Sequence, residues 1–186
     1  MSTNIYPIDG PWPGSLAISA RPRGGEWLED EVKSWRDGGF DVIVSLLTPR
    51  EAEEMDLSQE AGCCRQNHID FISFPIVDRS VPESGAASKL ILRIEADLSQ
   101  GKSVNVHCRQ GIGRSSLIAA GLFARGIPTE EAVKRITQAR HSPVPETSEQ
   151  REWIDSIAAS LSPIHSEGSE WIVAGNGSRT FVQVLE

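Results

Sequence analysis

The chain has 186 residues, 39% of them hydrophobic and 24% charged, which is the usage of an ordinary globular domain and excludes a wholly disordered or fibrous chain. Lys and Arg total 18 against 26 Asp and Glu, a formal net charge of −8, which argues against a body held to nucleic acid by phosphate neutralisation. Arginine supplies 14 of the 18 bases, so local guanidinium sites for anions remain open.

The first twenty-five residues hold Pro7, Pro11, Pro13, Pro22 and four glycines. They read as an extended, turn-rich opening with one short strand at Leu16 to Ser19. Trp27, Leu28, Val32 and Trp35 recur near helical spacing across Glu26 to Asp37, and Gly38-Gly39 closes that helix. Asp41 to Leu47 is β-branched and apolar, as expected of a strand buried on both faces. Thr48, Pro49 and Glu51 then predict a helix start, with an N-cap, a first-position proline and a capping box. A helix is expected over Asp56 to Gln66, and a second buried strand over Ile69 to Ile76, stopped by Pro75.

Ser84 to Gln100 carries Leu90, Ile91, Ile94 and Leu98 at helical spacing and ends at Gly101. A third strand is predicted at Ser103 to His107, followed by an alanine-rich helix from Arg114 to Arg125. Helices over Thr129 to Arg140 and Thr147 to Leu161 complete the pattern. Strands alternating with helices imply an α/β domain with a largely parallel central sheet flanked by helices. That domain is expected to span residues 1–162. In the extension 163–186, Trp171 to Ala174 and Thr180 to Leu185 flank Gly-Asn-Gly-Ser and predict a β-hairpin packed on the same domain.

Chemistry concentrates in His107-Cys108-Arg109-Gln110-Gly111-Ile112-Gly113-Arg114-Ser115-Ser116. The segment lies between a buried strand and an apolar helix. Such loops point successive backbone N–H groups into one concavity, and the helix dipole adds positive charge there. Gly111 and Gly113 let the backbone approach an anion, and Arg114 offers a planar fork to phosphate oxygens. Donors that hold a phosphate also stabilise a thiolate, which makes Cys108 a nucleophile at neutral pH.

Cys-x5-Arg-Ser, preceded by His and containing Gly-x-Gly, resembles the phosphate-binding loop of the cysteine-based protein tyrosine phosphatase superfamily. Phe74-Pro75-Ile76-Val77-Asp78-Arg79-Ser80-Val81-Pro82 resembles the general-acid loop of its dual-specificity branch, particularly kinase-associated-phosphatase-like members. The resemblance covers roughly residues 10–160 and implies a phosphotyrosine-phosphatase-like fold. It makes Cys108 the nucleophile, Arg114 with the amides of Arg109, Gln110, Gly111, Ile112 and Gly113 the phosphate cradle, and Asp78 the general acid and later base. Ser115 becomes the hydroxyl that assists the leaving thiolate, and His107 a residue that stabilises the loop by hydrogen bonds. Without the loop, Asp78 reads as a turn aspartate and Ser115 as a helix-start serine.

Weaker signals surround this set. Val144-Pro145-Glu146-Thr147 followed by Gln150 faintly resembles the segment whose glutamine orients the hydrolytic water in some members; the alternative is a solvent-facing Gln150 in the last helix. Arg21, Arg23, Arg50 and Arg79 either rim the pocket or are solvated charges. Cys63 and Cys64 read as packing thiols, the alternative being a redox partnership with Cys108. Trp12, Trp27, Trp35 and Trp153 are expected as core or edge anchors.

Together these readings predict a phosphomonoesterase acting on a phosphorylated protein or small phosphoester. Phosphotyrosine, and phosphoserine or phosphothreonine beside it, are the expected esters. No metal or other cofactor is expected, because no CxxC pair or His/Cys spacing is present and the loop supplies the charge. No nucleic-acid or membrane partner is expected either: the longest mostly apolar stretch, Ser116 to Ala124, is short of the roughly 18 residues of a membrane span. The odd number of cysteines and the absence of a readable signal pattern lead to the expectation of a cytoplasmic setting. Two other classes compete: a non-catalytic phosphate-binding adaptor, and a rhodanese-like sulfurtransferase, which leaves Asp78 and the Arg114-Ser115 pair unexplained. A low-molecular-weight phosphatase would carry its cysteine loop near the amino terminus. The scarcity of lysine in the loop disfavours phosphoinositides, and the short chain is expected to form a shallow, permissive pocket.

Overall fold

A computed structural model describes residues 3–161, 169–173 and 179–183. Five strands form one sheet: β1 (Ile5–Ile8), β2 (Ser15–Ala20), β3 (Val42–Ser45), β4 (Asp70–Ser73) and β5 (Ser103–Cys108), in the spatial order β1-β2-β5-β3-β4. All neighbours are parallel except β1, which runs antiparallel to β2. Among the described residues seven α-helices accompany them: α1 (Leu28–Asp37), α2 (Pro49–Glu54), α3 (Glu60–Gln66), α4 (Ser84–Ser99), α5 (Gly113–Phe123), α6 (Thr129–Arg140) and α7 (Ser148–Leu161). Among the described residues, no helix is long and apolar enough to cross a membrane.

Alternation along the strands splits the core in two. Leu16, Ile18, Val42, Val44, Val104, Val106 and Cys108 face one side, with the apolar faces of α4 to α7. Ala17 and Ile43 face the other, with Leu28, Val32, Trp35 and Cys64 of α1 and α3. Central β5 is walled on both sides, and every residue of α5 is buried. The loop joining them therefore starts and ends on two well-buried elements.

Several expectations change at the sheet edges. The opening segment contains an additional strand, β1, whose Pro7 is tolerated because an edge strand has one unpaired side. The strand expected to be buried over Ile69 to Ile76 is β4, four residues long on the opposite edge. Asp70 and Ser73 are exposed there, and Phe71 and Ile72 only half-buried. A strand with one hydrogen-bonded neighbour has less cover, so its apolar run overstates burial. The helix expected from Asp56 starts at Glu60, because Asp56 takes a left-handed φ of 55° that ends the preceding turn. Trp27 is not an anchor: it is 48% exposed under the Arg23 guanidinium.

Thr48 caps α2 as predicted. Its hydroxyl accepts from Glu51 N at 3.2 Å, and Glu51 Oε2 accepts from Thr48 N at 2.9 Å. Beyond α7, β6 (Ser169–Val173) and β7 (Arg179–Gln183) pair antiparallel. The turn of the expected hairpin and its packing on the domain fall outside the described residues.

Candidate active site

Cys108 ends β5 and is 3% exposed. Its sulfur accepts the Gly111 N–H at 3.3 Å, and Ser115 Oγ stands 3.6 Å away in the first turn of α5. Gly111 has a φ of +69°, and a Cβ there would lie 2.5 Å from the Ser19 carbonyl carbon. Only glycine fits both the left-handed backbone and the close approach to β2. A main-chain N–H, a hydroxyl and the start of a buried helix thus converge on one sulfur.

Arg114 is 1% exposed, and two elements fix it. Glu51 takes the guanidinium fork, Nη1 to Oε2 and Nη2 to Oε1, both at 2.8 Å. Nη1 also donates to Ile76 O at 2.9 Å, and Asp78 Oδ1 lies 2.9 Å from Nη2. Among the described residues Nε has no partner, so the Nε/Nη2 edge is the one left for an anion. Burial works against both charges. It pushes the Glu51 carboxyl up, but hydrogen bonds from Arg114 and Thr48 outweigh it and hold Glu51 below the usual carboxylate range. Burial likewise lowers the arginine, while Glu51, Cys108 and Asp78 raise it above its ordinary value.

Cys108 opens into a cavity of about 140 Å³ that is also lined by Asp78, Arg79, Arg109, Gln110 and Glu146. Asp78 therefore shares a cavity with Cys108 and is not in a remote turn. A broader depression of about 470 Å³ adjoins it through Arg109 and is lined by Arg21, Arg23 and Trp27. Of the four arginines read as either rim or solvated charges, Arg50 is a surface charge, paired with Glu54 at 2.7 Å.

Gln150 is fully buried, which removes its solvent-facing reading. Its amide lies beside Gly113, accepts from Glu146 N at 3.1 Å and donates to Ser80 O at 3.3 Å, tying α7 to the Asp78 loop. His107 corrects its expected role. Its side chain points to the opposite face of the sheet and makes no hydrogen bond to the loop. It packs 5.9 Å from the Trp35 ring, with Nε2 2.8 Å from Glu60 Oε1 but outside hydrogen-bonding geometry. Period-two alternation dictates this, since Cys108 faces the cradle and its neighbour must face away. Cys64, on α3, lies in the cluster on the far face of the sheet from Cys108. Burial, with Glu60 and Cys63 nearby, pushes the Cys64 thiol up to about 12, so it is a packing thiol.

Three site residues escaped the sequence reading. Glu51 was fully explained by its capping box, and nothing local marks a partner 63 residues onward. Glu146 sits in a segment noted for Gln150, and Arg140, which donates to the Gln110 and Gly111 carbonyls, was named only as the end of a helix. Among the described residues, no group of three or more His, Cys, Asp or Glu is arranged to hold a metal ion.

A thiol in an amide cradle, with a buried arginine and an acid at its mouth, on a mostly parallel α/β sheet, defines the class of cysteine-dependent phosphatases. The family model for the polymorphic toxin system DSP-PTPase phosphatase (Tc-R-P) matches residues 18–127, and the chain belongs to that family. It is 29% identical over 148 residues to cyclin-dependent kinase inhibitor 3 of Rattus norvegicus, covering 73% of this chain and 67% of that one. It is 33% identical over 142 residues to 197R of Invertebrate iridescent virus 6, which is named as a tyrosine phosphatase; there the match covers 73% of this chain and about half, 51%, of the viral one. In fold it resembles kinase associated phosphatase crystallised with its catalytic-site cysteine replaced by serine. That match has a TM-score of 0.79 at 18% identity over 87% of this chain and 97% of the other. Tk-PTP in its active form matches with a TM-score of 0.70 at 24% identity, over 84% and 97%. The chain is a protein tyrosine/dual-specificity phosphatase by family.

Proposed function

We propose that this phosphatase hydrolyses phosphotyrosine, and with it phosphoserine and phosphothreonine, through a phosphocysteine on Cys108. The observation that carries the assignment is the meeting of the Gly111 N–H and the Ser115 hydroxyl at one sulfur, with a buried, Glu51-clamped Arg114 whose pKa the Cys108 charge helps to raise. Cys108 Sγ attacks phosphorus as the P–O bond to the leaving group breaks. Arg114 and the loop amides hold the equatorial oxygens. An anion seated on the Nε/Nη2 edge takes the place that Asp78 occupies on Nη2. Asp78 then passes its proton to the departing oxygen, and a phosphate dianion beside it favours the neutral acid this step needs. In the second half a water attacks the phosphocysteine and gives its proton to Asp78. The thiolate leaves toward Ser115, and Gln150, buried against Gly113, positions the water.

The cavity at Cys108 is smaller than the roughly 300–1,000 Å³ of pockets that enclose whole drug-sized ligands. It suits the phosphoryl group and the first atoms behind it, which supports a permissive range of phosphoesters on proteins. That the rat and viral relatives are named for kinase inhibition and tyrosine phosphatase activity agrees with a phosphoprotein substrate.

The test is para-nitrophenyl phosphate hydrolysis in EDTA and reductant, with wild type beside Cys108→Ser. Metal-independent turnover that disappears in the serine variant is expected, followed by turnover of phosphotyrosine peptides. A folded wild type that binds vanadate without turnover would overturn the reading in favour of an adaptor, and one that binds no vanadate would return the question to sulfur transfer.

A further inference from the structure

The three peptides of the cradle that follow Arg109 owe their orientation to groups outside the loop. In a trans peptide the C=O and N–H point in opposite directions. An N–H can therefore face the cradle only while the carbonyl of the same unit faces out. The Arg109 carbonyl accepts from Arg21 N at 3.5 Å. The Gln110 carbonyl accepts from Arg140 Nη2 at 3.1 Å, and the Gly111 carbonyl from Arg140 Nε at 2.9 Å. The partner N–H of the Gln110 carbonyl is that of Gly111, the group that meets Cys108 Sγ at 3.3 Å. The partner of the Gly111 carbonyl is the Ile112 N–H, turned inward by the same constraint.

Arg140 is the last residue of α6, and its guanidinium lies 4.1 Å over the Tyr6 ring of β1. It is thus held on the side away from the loop by a strand that the sequence did not reveal. Gly111 has a left-handed φ and no side chain, a backbone with more intrinsic freedom than other residues, so an external restraint helps its peptides keep one orientation. A planar fork bonding two successive carbonyls supplies it, which a point ammonium cannot do at both.

We propose that Arg140 is a positioning residue. It latches the Gln110 and Gly111 carbonyls outward and so aims the Gly111 and Ile112 N–H groups at the thiolate and at phosphate, without touching either. This rests on the phosphatase reading only where turnover is the readout.

The experiment compares wild type with Arg140→Met, which keeps the stem and removes the donors, and with Arg140→Lys. Three quantities are measured: the iodoacetamide alkylation rate of Cys108 at mildly acidic pH, vanadate affinity, and kcat and KM for para-nitrophenyl phosphate. In Arg140→Met, alkylation slows, vanadate binding weakens and kcat/KM falls about ten- to a hundredfold, the scale of losing two charge-assisted hydrogen bonds. The melting temperature stays close to that of wild type, because the side chain is only half-buried. Arg140→Lys recovers part of each loss. Alkylation, vanadate binding and kcat/KM all unchanged in Arg140→Met would overturn the latch. If Arg140→Met does not fold, Arg140→Lys decides, and a lysine variant equal to wild type would overturn it. A wild type without turnover whose alkylation and vanadate binding nonetheless respond to Arg140→Met would sink the phosphatase reading and leave the latch standing.

Discussion

At the scale of single residues, the site is a set of charges arranged so that an incoming phosphate completes it. Arg114 already has its fork filled by Glu51, so its remaining edge is oriented before any ligand arrives. Arg114→Lys should lose both turnover and vanadate binding, because an ammonium cannot bond Glu51 twice and still face the cradle. Vanadate affinity equal to wild type would refute this. Asp78→Asn should slow aryl phosphates with poor leaving groups far more than those with good ones, since only the former need a proton in the transition state. Equal losses across a leaving-group series would remove Asp78 as the acid. Cys64, with its thiol raised to about 12, should stay unmodified in native protein under iodoacetamide while Cys108 reacts, as peptide mass mapping would show.

At the scale of elements, α2 joins secondary structure to the site. One carboxylate closes the capping box with Thr48 and clamps Arg114. Glu51→Gln keeps an acceptor for the cap but removes the charge facing the guanidinium. It should therefore cost kcat/KM more than it costs helix content. Thr48→Ala should cost about 1 kcal/mol of stability, the usual value for an N-cap, with the loss read from urea unfolding. Gly111→Ala tests the joint between β2 and the loop. The added methyl meets the Ser19 backbone in a left-handed conformation, so vanadate binding should fall steeply even where the fold survives. Retained binding would show that the loop can re-form around a side chain.

At the scale of the whole molecule, Glu31, Asp41 and Glu51 tie distant segments together and, like the locally bonded Asp97, titrate below their ordinary range. The Ser103 backbone N–H lowers Asp41. Burial raises Glu31, Glu51 and Asp97, but hydrogen bonds from Thr3 and Arg23, from Arg114 and Thr48, and from Lys102 and Arg93 outweigh it in each. A carboxyl with a depressed folded-state value takes its proton first in the unfolded chain. Its stabilisation is therefore complete above the unfolded value and is lost as pH falls through the folded one. The urea midpoint should hold near neutrality and decline below about pH 4, the ordinary carboxylate range. Glu51→Gln should flatten that decline, and an unchanged midpoint down to pH 3, on the order of one unit lower, would contradict the linkage.

The loop that forms the candidate site was legible in the chain because a loop between a buried strand and a buried helix is a local object, written in consecutive residues from Cys108 to Ser115, and Asp78 was marked by a separate run, Phe74 to Pro82. The boundaries of α4 and α6 were legible for the same reason, since helical periodicity and terminal residues act within a turn or two. What only the tertiary structure decided is everything that pairs distant segments. Glu51 and Arg114, Arg140 and the Gln110 carbonyl, and Gln150 and Ser80 meet across 63, 30 and 70 residues. The edge position of β4 and the added strand β1 depend on which strands become neighbours. A contact between remote residues leaves no spacing in the sequence; it exists only once the sheet order has set who stands beside whom.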